Sequence, residues 1–304
     1  MKEPLYRIKR TIEKNINSTI FKYSNNRYAI AFRKRSDQAL YEDCPSNDNF
    51  FLIKNSIRFW RADPFLFKHK GTNYLFAELY DKRKSKGVLA YARLHGKHCS
   101  KFKVCLEESY HLSYPCVFQC GNDIYMIPET KDNGKVTLYR AVSFPQKWER
   151  YKEICDLPCV DTTPFVTNNE YYYFTTIASD KSSDDNLHLI SEKDGSIRQL
   201  LSDNLCSRSA GNVLKLGDVL IRPSQDDTTY GDAVVLNKVN SLADDYSETS
   251  FRRILPPGSI TEDTDFCVSV EGYSKGEFDG LHTYNVNEDY EVIDLRYPRR
   301  KRKR

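Results

Sequence analysis

One phrase recurs four times in this chain: ADPFLFKHKGTNYLFAEL from Ala62, SYPCVFQCGNDIYMIPET from Ser113, DTTPFVTNNEYYYFTT from Asp161 and SAGNVLKLGDVLIRPSQD from Ser209. In each copy a short apolar run ends in a polar turn bearing Gly or Asn, and an aromatic or aliphatic run returns. That is the sequence form of an antiparallel hairpin. Pro64, Pro115 and Pro164 lie 51 and 49 residues apart, and Gly211 follows 47 after the last. A period near fifty residues belongs to propeller blades. A four-stranded blade cannot bury both faces alone, so copies stack radially around a channel. A fifth blade is predicted from the run 28–33 (YAIAFR) together with the run 280–286 (GLHTYNV), closing the ring by joining the two ends of the domain.

The sequence therefore predicts an all-β, five-bladed β-propeller over residues 26–296, preceded by an extension (1–25) and followed by a basic tail (297–304). Outer strands are supplied by GVLAYARL from Gly87, VTLYRAVS from Val136, NLHLIS from Asn186 and YGDAVVLNKV from Tyr230. In the extension, Leu5, Ile8, Ile12, Ile16 and Ile20 recur every three or four residues, which predicts a short amphipathic helical segment.

Composition bounds what surrounds the ring. Apolar residues make up 39% of the chain and aromatic residues 13%, with 21 Tyr and 16 Phe, enough for a sizeable core rich in strand formers. No run of about 18 apolar residues occurs, and the start MKEPLYRIKRTIEK lacks the apolar stretch of a secretory signal, so a cytoplasmic placement is expected. Nine scattered cysteines, an odd number, read as reduced thiols rather than a disulfide framework. Much of the positive charge sits in residues 299–304, all Arg or Lys. This tail reads either as a solvated end or as a peripheral contact with an anionic membrane at its inner face. Nucleic acid is not expected as a partner, because the propeller segments show no basic stripe interleaved with aromatics.

Several motifs in order carry a family resemblance: Asp63-Pro64, Tyr114-Pro115, IPET from Ile127, LYRA from Leu138 with Phe144-Pro145 and Trp148, RPSQD from Arg222, and GLHTYN from Gly280. Together they resemble the N-terminal domain of plant glucosamine inositolphosphorylceramide transferases and their bacterial relatives. That domain in turn is similar to the five-bladed propeller superfamily of arabinanases, β-xylosidases and levansucrases. The resemblance implies carbohydrate or glycolipid as ligand. It also implies a separate glycosyltransferase as partner, since in the plant protein the transferase module is a distinct domain.

The candidate chemistry starts from where the first strand of each blade begins, because polar residues there project toward a ligand on the axis. Asp63, Asp161 and Glu129 are the candidate catalytic carboxyls. Glycoside cleavage needs one carboxyl to protonate the leaving oxygen and another to act as base or nucleophile. Like charges held close push one of them toward the protonated state. The resemblance to family 43 glycosidases implies a base Asp opening blade one, a second Asp opening blade three and an acid Glu opening blade four. Asp63 and Asp161 match the first two, but Arg208, Ser209 and Ala210 stand where the Glu would be. Glu129, at the end of the blade-two hairpin, or Asp226, at the equivalent end of blade four, is then the substitute acid.

Around these, Glu78, Tyr114, Arg140, Arg222, Gln225, Asp226 and His282 are candidate substrate-binding residues. Glu78 and Glu129 share a register, each fourteen residues after its motif proline. Arg140 and Arg222 could clamp an anionic sugar or neutralise the acids. Asp63 and Asp161 could equally serve as turn residues. His282 resembles a blade-five histidine that approaches an axial cation in some arabinanases, and it could equally be a satisfied core histidine. No other cofactor is implied. Two C-x-x-x-C spacings, Cys116 with Cys120 and Cys155 with Cys159, suggest zinc. We set zinc aside because four steps along a strand hold the sulfurs roughly 13 Å from each other.

Two functions follow from this reading. One is a carbohydrate-active propeller of surface polysaccharide or glycolipid assembly that binds a glycan at the channel mouth and cleaves or transfers a glycosyl unit. The other is a non-catalytic recognition or scaffold propeller working beside a glycosyltransferase.

Overall fold

The computed structural model describes residues 26–167, 169–178, 186–201, 206–226, 231–259 and 261–298. The helical segment expected in residues 1–25 and the basic residues 299–304 lie outside them. The described residues form five antiparallel sheets, and the fold is the predicted five-bladed propeller. Blade one holds Phe59–His69, Thr72–Asp81, Lys86–His95 and His98–Cys99, with Lys103–Leu106 also on its third strand. Blade two runs Ser113–Cys120, Asp123–Glu129, Val136–Ser143 and Lys147–Cys155 from the axis outward. Blade three follows with Cys159–Thr167, Glu170–Ile177, Leu187–Ser191 and Ile197–Leu201. Blade four has Leu214–Leu216, Val219–Asp226, Ala233–Ser241 and Ser247–Leu255, and a short parallel strand, Asp265–Cys267, covers its outer edge.

Blade five joins the two ends of the domain, with one difference from the expected pairing. The order is Tyr284–Val286, Tyr290–Arg296, Tyr28–Lys34 and Phe51–Leu52, so the strand Tyr290–Arg296 lies between the two predicted runs. Arg33 and Glu291 face each other across this closure and form a buried ion pair at 2.7 Å. The other Glu291 oxygen accepts the Leu40 N–H and the Tyr284 hydroxyl, so the buried carboxylate is well supplied with donors.

Radial stacking explains where the core sits. Each seam between blades is filled by its own cluster: Phe65, Phe76, Met126 and Trp148 between blades one and two, Ile127, Leu138 and Tyr173 between two and three, Phe165, Phe174 and Leu220 between three and four. Ile221, Leu236, Tyr284 and Ile293 fill the seam from four to five, and Ile30, Phe32, Leu75 and Val292 the seam from five to one. Sheet faces that alternate inward and outward along each strand thus find a partner on the neighbouring blade.

The innermost strands share a bulge. Asp63, Tyr114 and Asp161 all adopt left-handed backbone, with φ of 50°, 48° and 51°. The ladder register shifts at each of them, between Ala62 and Phe65, Ser113 and Cys116, and Val160 and Thr163. The structural repeat is therefore set by residues 63, 114 and 161, and Thr162 occupies the place of Pro64 and Pro115. Pro164, two residues farther along, is not their equivalent, because the bulge and not the proline fixes the register.

Below the bulges the axis is filled. The Tyr114 hydroxyl reaches from blade two to Thr163 Oγ1 of blade three at 2.8 Å and accepts the Gly211 N–H of blade four at 2.9 Å. Asn285 of blade five then accepts the Asn212 N–H and donates to the Pro64 carbonyl of blade one. Gly211 has φ of 147°, and a methyl group on it would overlap the Tyr284 carbonyl. Gly211→Ala is expected to destabilise the protein by roughly 2–4 kcal/mol, since strain and a backbone clash add at a fully packed point. Chemical denaturation checks this, and an unchanged midpoint would show that the axis yields.

Candidate functional site

Two of the bulges, at Asp63 and Asp161, carry the carboxyls of the site above this floor. A left-handed non-glycine residue costs on the order of 1–3 kcal/mol, and Asp is among the residues that tolerate it best. At Asp63 the conformation is held from both sides: its N–H donates to Asp294 Oδ2 at 3.0 Å, and its own Oδ2 accepts the Tyr114 N–H at 3.1 Å. Thr283 donates to the other oxygen at 3.3 Å, and His282 Nε2 lies 3.4 Å from it. His282 Nδ1 in turn sits 2.7 Å from Asp294 Oδ2. Asp294 is fully buried and also accepts the backbone N–H groups of His282 and Thr283. Tyr28 stacks on His282 with ring centroids 4.4 Å apart, and Trp60 and Tyr80 stack likewise, so a buried aromatic cluster backs His282.

Asp161 is supported differently. Its Oδ2 receives Arg208 at 2.7–2.8 Å and the Gln225 amide at 3.1 Å. Glu78 and Glu129 lie at the same register in their blades, opposite Ala62 and Ser113, as the sequence indicated. Glu78 is buried, and its Oε1 accepts no hydrogen bond among the described residues; His111 Nε2 is 3.5 Å away. His111 Nδ1 accepts the Gly87 N–H, so its Nε2 carries the proton and faces Glu78.

These carboxyls perturb one another. Desolvation is the main force on Asp63 and moves it up to about 6, with His282 opposing and Asp294 and Asp161 adding to the rise. Glu129 goes up to about 8, again first by burial, then by the charge of Asp161, with Arg208 pulling back. Glu78 is raised well above the ordinary carboxylate value by burial and by Asp63 and Glu129. His282 is raised because Asp294 and Asp63 outweigh the burial that would lower it. Acids with protonation states pushed apart within one site are the arrangement that acid–base chemistry needs.

The other expected residues are placed elsewhere. Tyr114 belongs to the floor and gives its N–H to Asp63. Arg222 is fully buried in a two-pronged pair with Glu248 at 2.6 and 2.9 Å, and Arg140 pairs with Glu149 on an outer strand of blade two. Asp226 is not the counterpart of Glu78 and Glu129. Ser224 is, because it faces Ser209, and Asp226 binds Arg253 at 2.8 Å. Cys116 and Cys120 lie along one strand, but the sulfurs of Cys155 and Cys159 are only 3.8 Å apart, because this pair spans the link between two blades.

Asp63, His282 and Asp294 bring three ligand atoms within 4.8 Å of one another. The three face one another at the place where the cation near His282 is expected, and both Asp294 oxygens also accept backbone N–H groups, so a cation held there would share Asp294 with those donors and would need His282 neutral. Asp294 and Thr283 join the site without having stood out in the sequence. An acid inside the apolar strand YEVIDLR was the available signal for Asp294.

The sequence matches the family described as "Glucosamine inositolphosphorylceramide transferase 1, N-terminal" over residues 54–264. The chain belongs to this family. Glucosamine inositolphosphorylceramide transferase 1 of Oryza sativa subsp. indica is 30% identical over 202 residues, covering 62% of this chain and 27% of its own. The protein of the same name from Arabidopsis thaliana is 28% identical over 258 residues, covering 78% and 32%. The chain thus spans about a third or less of the length of these relatives. Among solved structures, the catalytic domain of the Coprinopsis cinerea glycoside hydrolase family 62 α-L-arabinofuranosidase superposes with a TM-score of 0.53 at 12% identity, covering 78% of this chain and 90% of that one. A family 43 β-xylosidase/α-arabinofuranosidase from a compost metagenome gives 0.54 at 11%, covering 78% and 85%. At such identity the likeness is one of fold.

The raised acids set a pH dependence of stability. A carboxyl whose value is higher folded than unfolded keeps its proton longer in the native state, so stability falls as pH rises between the two values. For Glu129 that window runs from about 4.5 to about 8. Glu129→Gln is expected to flatten the pH–stability curve there and to raise stability above pH 8 by an amount of order a few kcal/mol. Denaturation midpoints from pH 4.5 to 9 check this, and a parallel offset between the two proteins at every pH would refute it.

Proposed function

We propose that the protein binds a glycosyl unit of a glycan or glycolipid at the channel mouth and acts on it by acid–base chemistry. The observation that carries this reading is the convergence of Asp63, Asp161, Glu78 and Glu129, with Glu129 protonated near neutrality while Asp161 is held by a guanidinium. Glu129, partly exposed, is the proton donor to the leaving oxygen. Asp63 is the base or nucleophile, aimed by Tyr114 N–H and Thr283. Asp161 orients the substrate and, through its charge, keeps the proton on Glu129. The transferase name of the family and the glycosidase-like fold support a carbohydrate or glycolipid ligand. Action beside a separate glycosyltransferase, and cytoplasmic placement with the basic tail against an anionic membrane face, belong to the same proposal.

A second reading, recognition without chemistry, is favoured by one feature: Arg208 stands in blade four where the family 43 pattern has its acid, and it holds Asp161. The two separate on variants assayed with glycosides, glycolipids and nucleotide sugars. Under the first reading kcat/KM is bell-shaped, falling below about pH 6 as Asp63 takes a proton and above about pH 8 as Glu129 loses one. Asp63→Asn abolishes turnover with binding retained, and Glu129→Gln lowers kcat about 10²- to 10⁴-fold and removes the alkaline limb. Binding of a glycan by the wild-type protein, with no turnover at any pH, would establish the second reading instead.

A further inference from the structure

Nine cysteines are present, none in a disulfide, and two of them meet. Cys155 ends the outermost strand of blade two, Cys159 opens the innermost strand of blade three, and only Asp156, Leu157 and Pro158 separate them. The turn between them is tight, with the Cys159 N–H bonded to the Leu157 carbonyl, and it brings the two sulfurs to 3.8 Å. Cys155 is partly exposed while Cys159 is buried. We propose that Cys155 and Cys159 are a redox-active dithiol that a small-molecule disulfide oxidises to an intramolecular bridge across the seam of blades two and three.

The two thiols have unequal roles. Among the described cysteines whose ionisation is shifted, Cys155 is the one moved down, because the Cys159 thiol donates to it and backbone groups of Leu157 and Val136 help. Cys99 and Cys105 are pushed up to about 12 by burial. The thiolate is the attacking species, so reaction begins where a thiolate is both favoured and reachable. The Cys155 thiolate attacks the disulfide RSSR, forming a mixed disulfide and releasing RS⁻. Cys159 then gives up its proton, its sulfur attacks the Cys155 sulfur, and the second RS⁻ leaves. Two protein thiols are oxidised and RSSR is reduced to two RSH. Closing a 3.8 Å gap to a bond of about 2.05 Å needs a small movement of two side chains on a turn already formed. Cys159 lies two residues before Asp161 on the same strand, so the bridge pins the strand that carries a site acid.

Glutathione disulfide, added to the full chain with and without dithiothreitol, tests this by alkylation and peptide mass mapping. The expected result is a peptide containing residues 155 and 159 that is lighter by two hydrogens, resists alkylation and reverts with dithiothreitol. Exposed Cys44 should gain glutathione and form no internal bridge. Cys159→Ser should stop at a glutathione adduct on Cys155, and Cys155→Ser should leave Cys159 unmodified. A wild-type protein that keeps both thiols free while Cys44 reacts, or that accumulates a stable glutathione adduct on Cys155, would overturn the proposal.

Discussion

The Asp63 carboxylate and the left-handed bulge that carries it tie architecture to site. An N–H that would otherwise join the ladder is turned onto Asp294 of blade five, and the carboxylate so placed takes the N–H of Tyr114, the bulge residue of blade two. Three blades are linked through one residue. Tyr114 passes the connection on to blades three and four, and Asn285 returns it to blade one. A ring of blades buried only at its seams has no single central core, and this polar circuit at the axis fixes the relative height of neighbouring blades. Buried hydrogen bonds are well suited to that task, because a slip that unmakes one leaves a desolvated polar group at a cost of about 1–3 kcal/mol.

The same circuit explains why the site can hold so many acids. Asp63 and Asp294 are held in a buried setting with His282 between them and backbone donors around them. Asp161 has Arg208 and Gln225. Among the described residues Glu129 and Glu78 have no comparable donors, and burial pushes both of them up.

Much of the fold was legible in the sequence because blades repeat, and a repeat shows its register in every copy. The hairpins, the ring closure and the shared register of Glu78 and Glu129 all follow from that repetition. The exceptions have a common physical cause. Spacing aligns Pro164 with Pro64 and Pro115, although the bulge residue, invisible to residue type since Asp and Tyr both occupy it, sets the true frame. Counting from the turn puts Asp226 beside Glu78 and Glu129, although Ser224 is the residue that faces the innermost segment of blade four. Arg222 and Arg140 look like ligand clamps because sequence reports a charge without its partner, and Glu248 and Glu149 lie on other strands. Asp294 is hidden for the opposite reason, inside a run that reads as apolar strand.

Blade four shows how one position can redirect such a site. A carboxyl at the place of Arg208 would face Asp161 with like charge and would itself be the group forced to keep a proton. A guanidinium there does the reverse: it fixes Asp161 and leaves Glu129, across the mouth in blade two, as the acid that feels Asp161 most among its charged neighbours. Residues of blades three and four thus act on the protonation of a carboxyl in blade two without any change in the backbone ring. A propeller is suited to this because its first strands present equivalent positions to one axis, so an acid lost from one blade can be supplied by another at similar depth. The fold shared with glycosidases brings equivalent positions of several blades to one axis, whereas the pairing of Asp161 with Arg208 sets the charge that the neighbouring carboxyl of Glu129 meets there.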